Sequence, residues 1–161
     1  MDKHDAITLR TAGDADVPAI VALLNAAFAM ERSFIDRDRT SAPEIERYIT
    51  TGTFSVVDGT SGALASCMYL ERRKDRLYLG MLAVNPSQQG RGLAKQMIMA
   101  AERRAASLGC RALDIRIVDL RTELPPFYRA LGFVDNGTEP LVDPQLRRPA
   151  HFIRMTKAIA T

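Results

Sequence analysis

A chain of 161 residues, 47% hydrophobic and 25% charged, has the composition of one soluble globular domain that buries a core without staples. Its net charge of +3 is too small to argue for a nucleic-acid partner, and no apolar run approaches membrane-spanning length. The polar opening Met1-Asp2-Lys3-His4-Asp5 predicts no signal peptide, so a cytoplasmic location is expected.

Ala6–Arg10 alternates and predicts a first strand. Asp14 or Asp16 then caps a helix whose apolar residues Val17, Ile20, Val21, Leu24 and Phe28 keep the 3.6 period, with Pro18 tolerated in the first turn. Met30–Thr40 is charged and irregular. Ser41-Ala42-Pro43-Glu44 has capping-box spacing and opens a short helix through Ile45, Tyr48 and Ile49, stopped at Gly52. Phe54–Val57 and Ala63–Leu70 flank the hairpin signature Asp58-Gly59-Thr60-Ser61-Gly62. Lys74-Asp75 turns the chain into Leu77–Val84, apolar on both faces and therefore expected to be a central, buried strand. A helix follows with Leu93, Met97, Ala101, Ala105 and Leu108 on one stripe, ending at Gly109.

Leu113, Ile115 and Ile117 alternate with Asp114 and Arg116 in a further strand. The intervening helix predicts that it runs parallel to Leu77–Val84. Pro125-Pro126 starts a short helix ended by Gly132. Phe133–Asp135 and His151–Met155 are the expected closing strands, joined by a Pro-rich connection over Gly137–Pro149. No internal repeat, low-complexity stretch or interdomain linker interrupts this order, so residues 1–161 read as one domain. Cys67 and Cys110 have neither metal-ligand nor Cys-x-x-Cys spacing and are expected to be buried free thiols, with no metal site implied.

The segment with the most chemical content is Gln89-Gly90-Arg91-Gly92-Leu93-Ala94. A glycine-rich turn that leaves a strand and opens a helix gathers unpaired backbone N–H groups, and the helix dipole adds partial positive charge. Gly90 and Gly92 remove side chains that would hold a pyrophosphate off the backbone. No Gly-Lys-Ser/Thr follows, which excludes a nucleoside-triphosphatase loop, and the Gly-x-Gly-x-x-Gly dinucleotide pattern fails at its last position. From Gln88 to Arg129 eight basic residues face four acidic ones, so positive charge concentrates around this anion site.

Gln-x-x-Gly-x-Ala, preceded by Met81-Leu82-Ala83-Val84-Asn85-Pro86, resembles the acetyl-CoA-binding segment of the GNAT superfamily of N-acetyltransferases. Phe127-Tyr128-Arg129-Ala130-Leu131-Gly132-Phe133 is a second match, with Tyr128 four residues before the Gly-Phe pair. The resemblance covers nearly the whole chain and implies a mixed α/β, mostly antiparallel sheet of about seven strands with about four helices. It further implies a parallel central pair splayed around acyl-CoA. In that family the backbone of Leu82, Ala83 and Val84 would hold the pantetheine amide and the thioester oxygen, with Leu82 N–H as the oxyanion donor. Gln89, Gly90, Gly92, Leu93 and Ala94 would supply loop amides, and Arg91 and Lys95, one turn apart, would meet CoA phosphates. Tyr128 would be the general acid to the departing thiolate, since a phenol holds its proton at neutral pH.

Two departures from the family pattern stand out. Arg121 occupies the place where the family often has a cofactor-contacting Asn, and Pro125-Pro126 predicts a later start for the short helix than in relatives. Leu77–Val84 also lacks the strand glutamate that many relatives carry. The general base must therefore come from elsewhere: Glu31, Asp36 and Asp38 in the irregular loop, Glu139, and His151 are the candidates, His151 having a suitable titration range.

The reading is an acetyl-CoA-dependent N-acetyltransferase in which a small-molecule or peptide amine attacks the thioester directly. Neither cysteine has a recognisable His or cationic partner, which argues against an acyl-enzyme. The alternative is a non-catalytic acyl-CoA-binding sensor or interaction module, and pairing of the final strands would allow a homodimer. A nucleic-acid role lacks aromatic residues interleaved with the basic ones.

Overall fold

The computed structural model describes residues 7–160. Its scaffold is a seven-stranded sheet ordered β1-β2-β3-β4-β5-β7-β6. The strands are β1 (Arg10–Thr11), β2 (Thr53–Asp58), β3 (Leu64–Arg73), β4 (Arg76–Val84), β5 (Ala112–Val118), β6 (Val134–Pro140) and β7 (His151–Ala158). The helices are α1 (Val17–Ala27), α2 (Ala42–Thr51), α3 (Leu93–Ser107) and α4 (Leu124–Ala130). Every paired neighbour is antiparallel except β4 and β5. The helical crossover through α3 dictates that one parallel pair. Among the described residues no helix is long and apolar enough to cross a membrane.

Two cores form, one on each sheet face. Met97, Ile98, Ala101 and Ala105 of α3 pack with Tyr128 of α4 against Leu77, Leu79, Leu113 and Ile115. Ile20 and Leu24 of α1 and Ile45 of α2 pack against Phe54, Val56, Cys67 and Tyr69 on the other face. Cys67 and Cys110 are free and buried, as the spacing predicts. Desolvation pushes the Cys67 thiol up to about 12, which removes it as a nucleophile at neutral pH.

Several local expectations are corrected. Strand pairing begins only at Arg10, and the part of the expected first strand at Ala6 lies outside the described residues. Asp16 does not cap α1 from its N-cap position. Its carboxylate accepts the Gly13 N–H at 2.9 Å and closes a 3-10 turn that leads into the helix. The capping box at Ser41 is not formed: Glu44 turns instead to accept from Thr40 Oγ1 at 2.8 Å. Helix α4 starts at Leu124 with the two prolines in its first turn, where they need no N–H partner, as expected of Pro125-Pro126. Strand β6 runs on to Pro140, so the opening of the expected Pro-rich connection, Gly137 to Pro140, is sheet. Its residues are almost all exposed, and an edge strand with so little buried surface leaves no alternating pattern to read.

The central strand is not buried on both faces. β4 alternates buried and half-exposed, with Tyr78, Gly80, Leu82 and Val84 the half-exposed set. Its parallel neighbour β5 pairs with it only as far as Tyr78, and a bulge interrupts the strand beyond. Cys67 faces Ala83 while Tyr69 faces Gly80, so Met68 opposes both Met81 and Leu82, and Met81 adopts a left-handed φ of 48°. The extra residue exchanges the faces. Before it Leu77 and Leu79 point to α3; after it Met81 and Ala83 point to α1.

Candidate active site

The parallel pairing of β4 with β5 is confined to Arg76–Tyr78 against Ala112–Asp114. Beyond Tyr78 the strands separate, and a cavity of about 860 Å³ opens between them. The splay frees backbone. Cys67 on β3 faces Ala83, whose carbonyl takes the Ser66 Oγ hydrogen bond at 2.8 Å, so its polar edge turns to β3. Leu82 sits beside the bulge, and on its β5 side no ladder partner remains. Leu82, Ala83 and Val84 all line the cavity.

The turn after β4 is built for the geometry its glycines suggest. Gly90 and Gly92 have φ of 82° and 74°, left-handed values that an L side chain adopts only with strain. An added Cβ at either would meet nothing within 4 Å, so the approach to the turn is open. Among the described residues, no backbone N–H from Gln89 to Lys95 finds an acceptor. They stand at the start of the 15-residue α3. Gln89 and Ala94 line the cavity, whereas Gly90, Arg91, Gly92, Leu93 and Lys95 border it without lining it. Arg91 and Lys95 are exposed, and Arg91 makes only a 3.3 Å contact with Gln88 Oε1.

Tyr128 sits on α4 against that opening. Its ring packs edge-on to Phe127 and Phe133, with centroids at 5.1 and 5.5 Å. Among the described residues its hydroxyl has no hydrogen-bond partner, yet no fully buried polar side-chain atom there is unsatisfied; the oxygen therefore faces the cavity. Desolvation raises its pKa to about 12, with Arg121 opposing the shift and Tyr78 adding to it. It is a protonated donor at neutral pH.

Arg121 is engaged differently from a residue free to meet cofactor. Its Nη1 pairs with Glu31 Oε2 at 2.9 Å and its Nε with Glu123 at 2.6 Å, its side chain being only 12% exposed. This pair joins the loop after α1 to the loop after β5 across the cavity. Of the base candidates, only Glu31 lines the cavity. Asp36 pairs with Arg147, Asp38 with Arg32, and Glu139 with Arg116. His151 is exposed beside Asp119, its Nδ1 3.7 Å from Oδ2, outside the cavity lining.

The remaining wall comes from residues without a motif. Tyr78 is folded along β4, its hydroxyl 3.0 Å from where a Gly80 Cβ would stand, so the glycine makes room for the ring. Arg73 lies over the other side of that ring at 4.1 Å. Tyr48, Arg39 and Glu44 enter from α2 and the loop before it, and Arg116 and Phe152 from β5 and β7. Leu141, Val142 and Asp143 close the end, held down by the Ile35–Leu146 bridge and the Arg37–Asp143 pair at 2.8 Å.

Residues 19–133 match the model of the Acetyltransferase (GNAT) family. No curated protein matches the chain in sequence. In fold it is similar to the ribosomal-protein-S18-alanine N-acetyltransferase from Escherichia coli, with TM-score 0.80, 17% identity, and 96% of this chain and 94% of that one covered. It is likewise similar to a GNAT superfamily phosphinothricin acetyltransferase from Sinorhizobium meliloti solved in complex with AcCoA. There the TM-score is 0.76 and the identity 19%, over 96% of this chain and 89% of that one. With the family model covering more than half of its length and a splayed β4–β5 pair at its centre, the chain belongs to the GNAT acetyltransferase family.

Proposed function

We propose that the protein, acting as one domain, is an acetyl-CoA-dependent N-acetyltransferase in which an amine attacks the thioester directly. The observation that carries this reading is the unpartnered Tyr128 hydroxyl, facing the same cavity as the freed edge of β4 at Leu82.

The donor set fits acetyl-CoA. The unbonded amides from Gln89 to Lys95 suit a pyrophosphate, and the exposed cations of Arg91 and Lys95 suit a further phosphate. Backbone at Leu82, Ala83 and Val84 offers the pantetheine arm strand-like hydrogen bonds. When bound, the cosubstrate supplies an activated acetyl carbonyl. Leu82 N–H stabilises the charge that builds on the carbonyl oxygen during attack. As the C–S bond breaks, Tyr128 donates its phenolic proton to the sulfur. Arg121 is assigned to the wall rather than to direct CoA contact, since two carboxylates already hold it.

The acceptor must lose its ammonium proton before attack. Glu31 is assigned that role, directly or through water, because its Oε1 is left free by the Arg121 pair and its side chain borders the cavity. His151 and its neighbour Asp119 are assigned a surface role. The buried free thiols suit a reducing cytoplasm, and the open outer edge of β6, with Val134 60% exposed, is where two copies would pair.

Two measurements test the reading together. Calorimetry should show CoA binding that falls more than tenfold, about 1.4 kcal/mol, in Gly92→Val. The cause is the left-handed φ at that turn, since no clash awaits the side chain in the free protein. Thiol release over a broad amine panel should show acetyl transfer. Tight CoA binding with no amine acetylated would instead mark a non-catalytic acyl-CoA sensor.

A further inference from the structure

We propose that the acceptor end of the cavity selects amines that carry a carboxylate, with Arg39 and Arg116 as the groups that hold it. The inference rests on the acetyltransferase reading above and names its substrate class.

Four arginines line the cavity: Arg37, Arg39, Arg116 and Arg121. Two are already neutralised, Arg37 by Asp143 and Arg121 by Glu31 and Glu123. Arg39 has no carboxylate within 4.0 Å among the described residues. Arg116 reaches only Glu139, at 3.4 Å between side chains that are each at least 40% exposed. A pair of that length and exposure holds a guanidinium weakly. Two cations thus face a partly desolvated space with little to balance them, an arrangement that an incoming anion relieves.

Both are positioned rather than loose. The Arg39 guanidinium lies 5.3 Å from the centroid of Phe28, and that of Arg116 lies 4.3 Å from the centroid of Phe152. Contact through an aromatic ring leaves the in-plane N–H fork available for a carboxylate. The two approach from different walls of one cavity, which Tyr48 also lines. Glu44 is the one acid of the lining without a cationic partner among the described residues. The four arginines of the lining are matched in number by Glu31, Glu44, Glu123 and Asp143, so the positive character at Arg39 and Arg116 is local, set by their placement away from those carboxylates.

Tyr78 links this end to the reacting one. It lines the same cavity as Arg116 and Tyr128. A small molecule anchored at Arg116 therefore spans a short path along Tyr78 to the thioester edge, which places its amine where attack occurs. Tyr48 and Tyr78 supply the apolar sides of that path.

The test uses matched trios: an α-amino acid, its carboxamide and its decarboxylated amine, built on phenylalanine, methionine and glutamate. The wild-type protein should acetylate the carboxylate member of at least one trio with kcat/KM tenfold or more above its carboxamide. In Arg39→Gln and Arg116→Gln that ratio should collapse toward one, through KM. Arg116→Lys should recover part of it by restoring the charge, and melting curves verify that each variant folds. A wild-type preference for carboxamides or decarboxylated amines overturns the inference and leaves the acetyltransferase reading intact. So does an equal loss for all three members in the arginine variants. CoA binding with no acetylation of any amine overturns both.

Discussion

Replacing Tyr128 by Phe isolates one proton. The ring keeps its edge-on contacts with Phe127 and Phe133, and the deleted hydroxyl has no partner to leave unsatisfied. Stability should therefore change by no more than about 0.5 kcal/mol. The phenol is held protonated by burial, with a pKa pushed up to about 12, so at pH 8 only about one molecule in 10⁴ is ionised. Removing that donor forces the thiolate to leave without it, and kcat should fall roughly 10²-fold, equivalent to about 2.7 kcal/mol of transition-state stabilisation. Acetyl-CoA affinity should stay within a few-fold, because the ground-state thioester has little need of the proton. Stopped-flow thiol release under saturating cosubstrate and acceptor separates the chemical step from binding. A Phe variant with parental kcat and parental pH profile refutes the assignment, and another acid or water then protonates CoA.

Other consequences of the geometry are equally measurable. Because the fold prefers the neutral Tyr128 phenol, its contribution to stability is complete below pH 10 and is lost as pH rises through about 12. Alkaline unfolding followed by circular dichroism should therefore begin later in the Phe variant than in the parent. Arg121→Gln leaves Glu31 unpaired at 11% side-chain exposure and should destabilise by roughly 3 kcal/mol in urea titrations, with the Glu31→Gln/Arg121→Gln double variant recovering part of the loss. Additive losses would show that the two side chains are not coupled. Gly80→Ala puts a Cβ 2.8 Å from the Tyr78 ring and should push that ring out of place. The amine kcat/KM should drop by about tenfold while CoA affinity holds, and parallel losses in both would place Tyr78 elsewhere in the mechanism. Asp114 accepts both Arg76 nitrogens at 2.6 and 2.7 Å at the parallel pairing; burial raises its pKa, but Arg76 and Thr156 outweigh that and hold it below the ordinary value. Asp114→Asn should lower stability by about 1 kcal/mol at pH 7, and the deficit should close as acid protonates the parental carboxylate. A deficit that persists in acid would assign the effect to packing.

Local signals were readable where they are short-range. The 3.6 period of Met97, Ala101 and Ala105, stopped by Gly109, and the hairpin turn Asp58–Gly62 each lie within a few residues of what they specify. The half of the site proposed for the cofactor is also local, since strand, turn and helix follow one another from Leu77 to Ser107. The acceptor half is not. Arg39, Tyr78, Arg116 and Phe152 come from one loop and three strands, and nothing in their spacing marks them as neighbours. Glu44 was readable only as a capping residue, because its true partner is the Thr40 hydroxyl, which no capping rule anticipates. Met30–Thr40 reads only as charged and irregular because its charges are mixed. They pair with one another and with residues up to 111 positions away, and so bury Glu31, Phe34 and Ile35.

The inserted residue at Met81 divides β4 into two stretches whose side chains follow opposite parity. Tyr78 and Gly80 belong to the stretch that shapes the amine's surroundings, while Leu82 and Val84 belong to the one that presents backbone. On the proposed reading, substitution in the first stretch changes what the cavity admits without moving the amide assigned to the thioester. On that same reading the strand is thus a junction between an interchangeable part and a fixed one, and acceptor preference can be rewritten at Tyr78 and Gly80 while the stretch assigned to transfer is left as it stands.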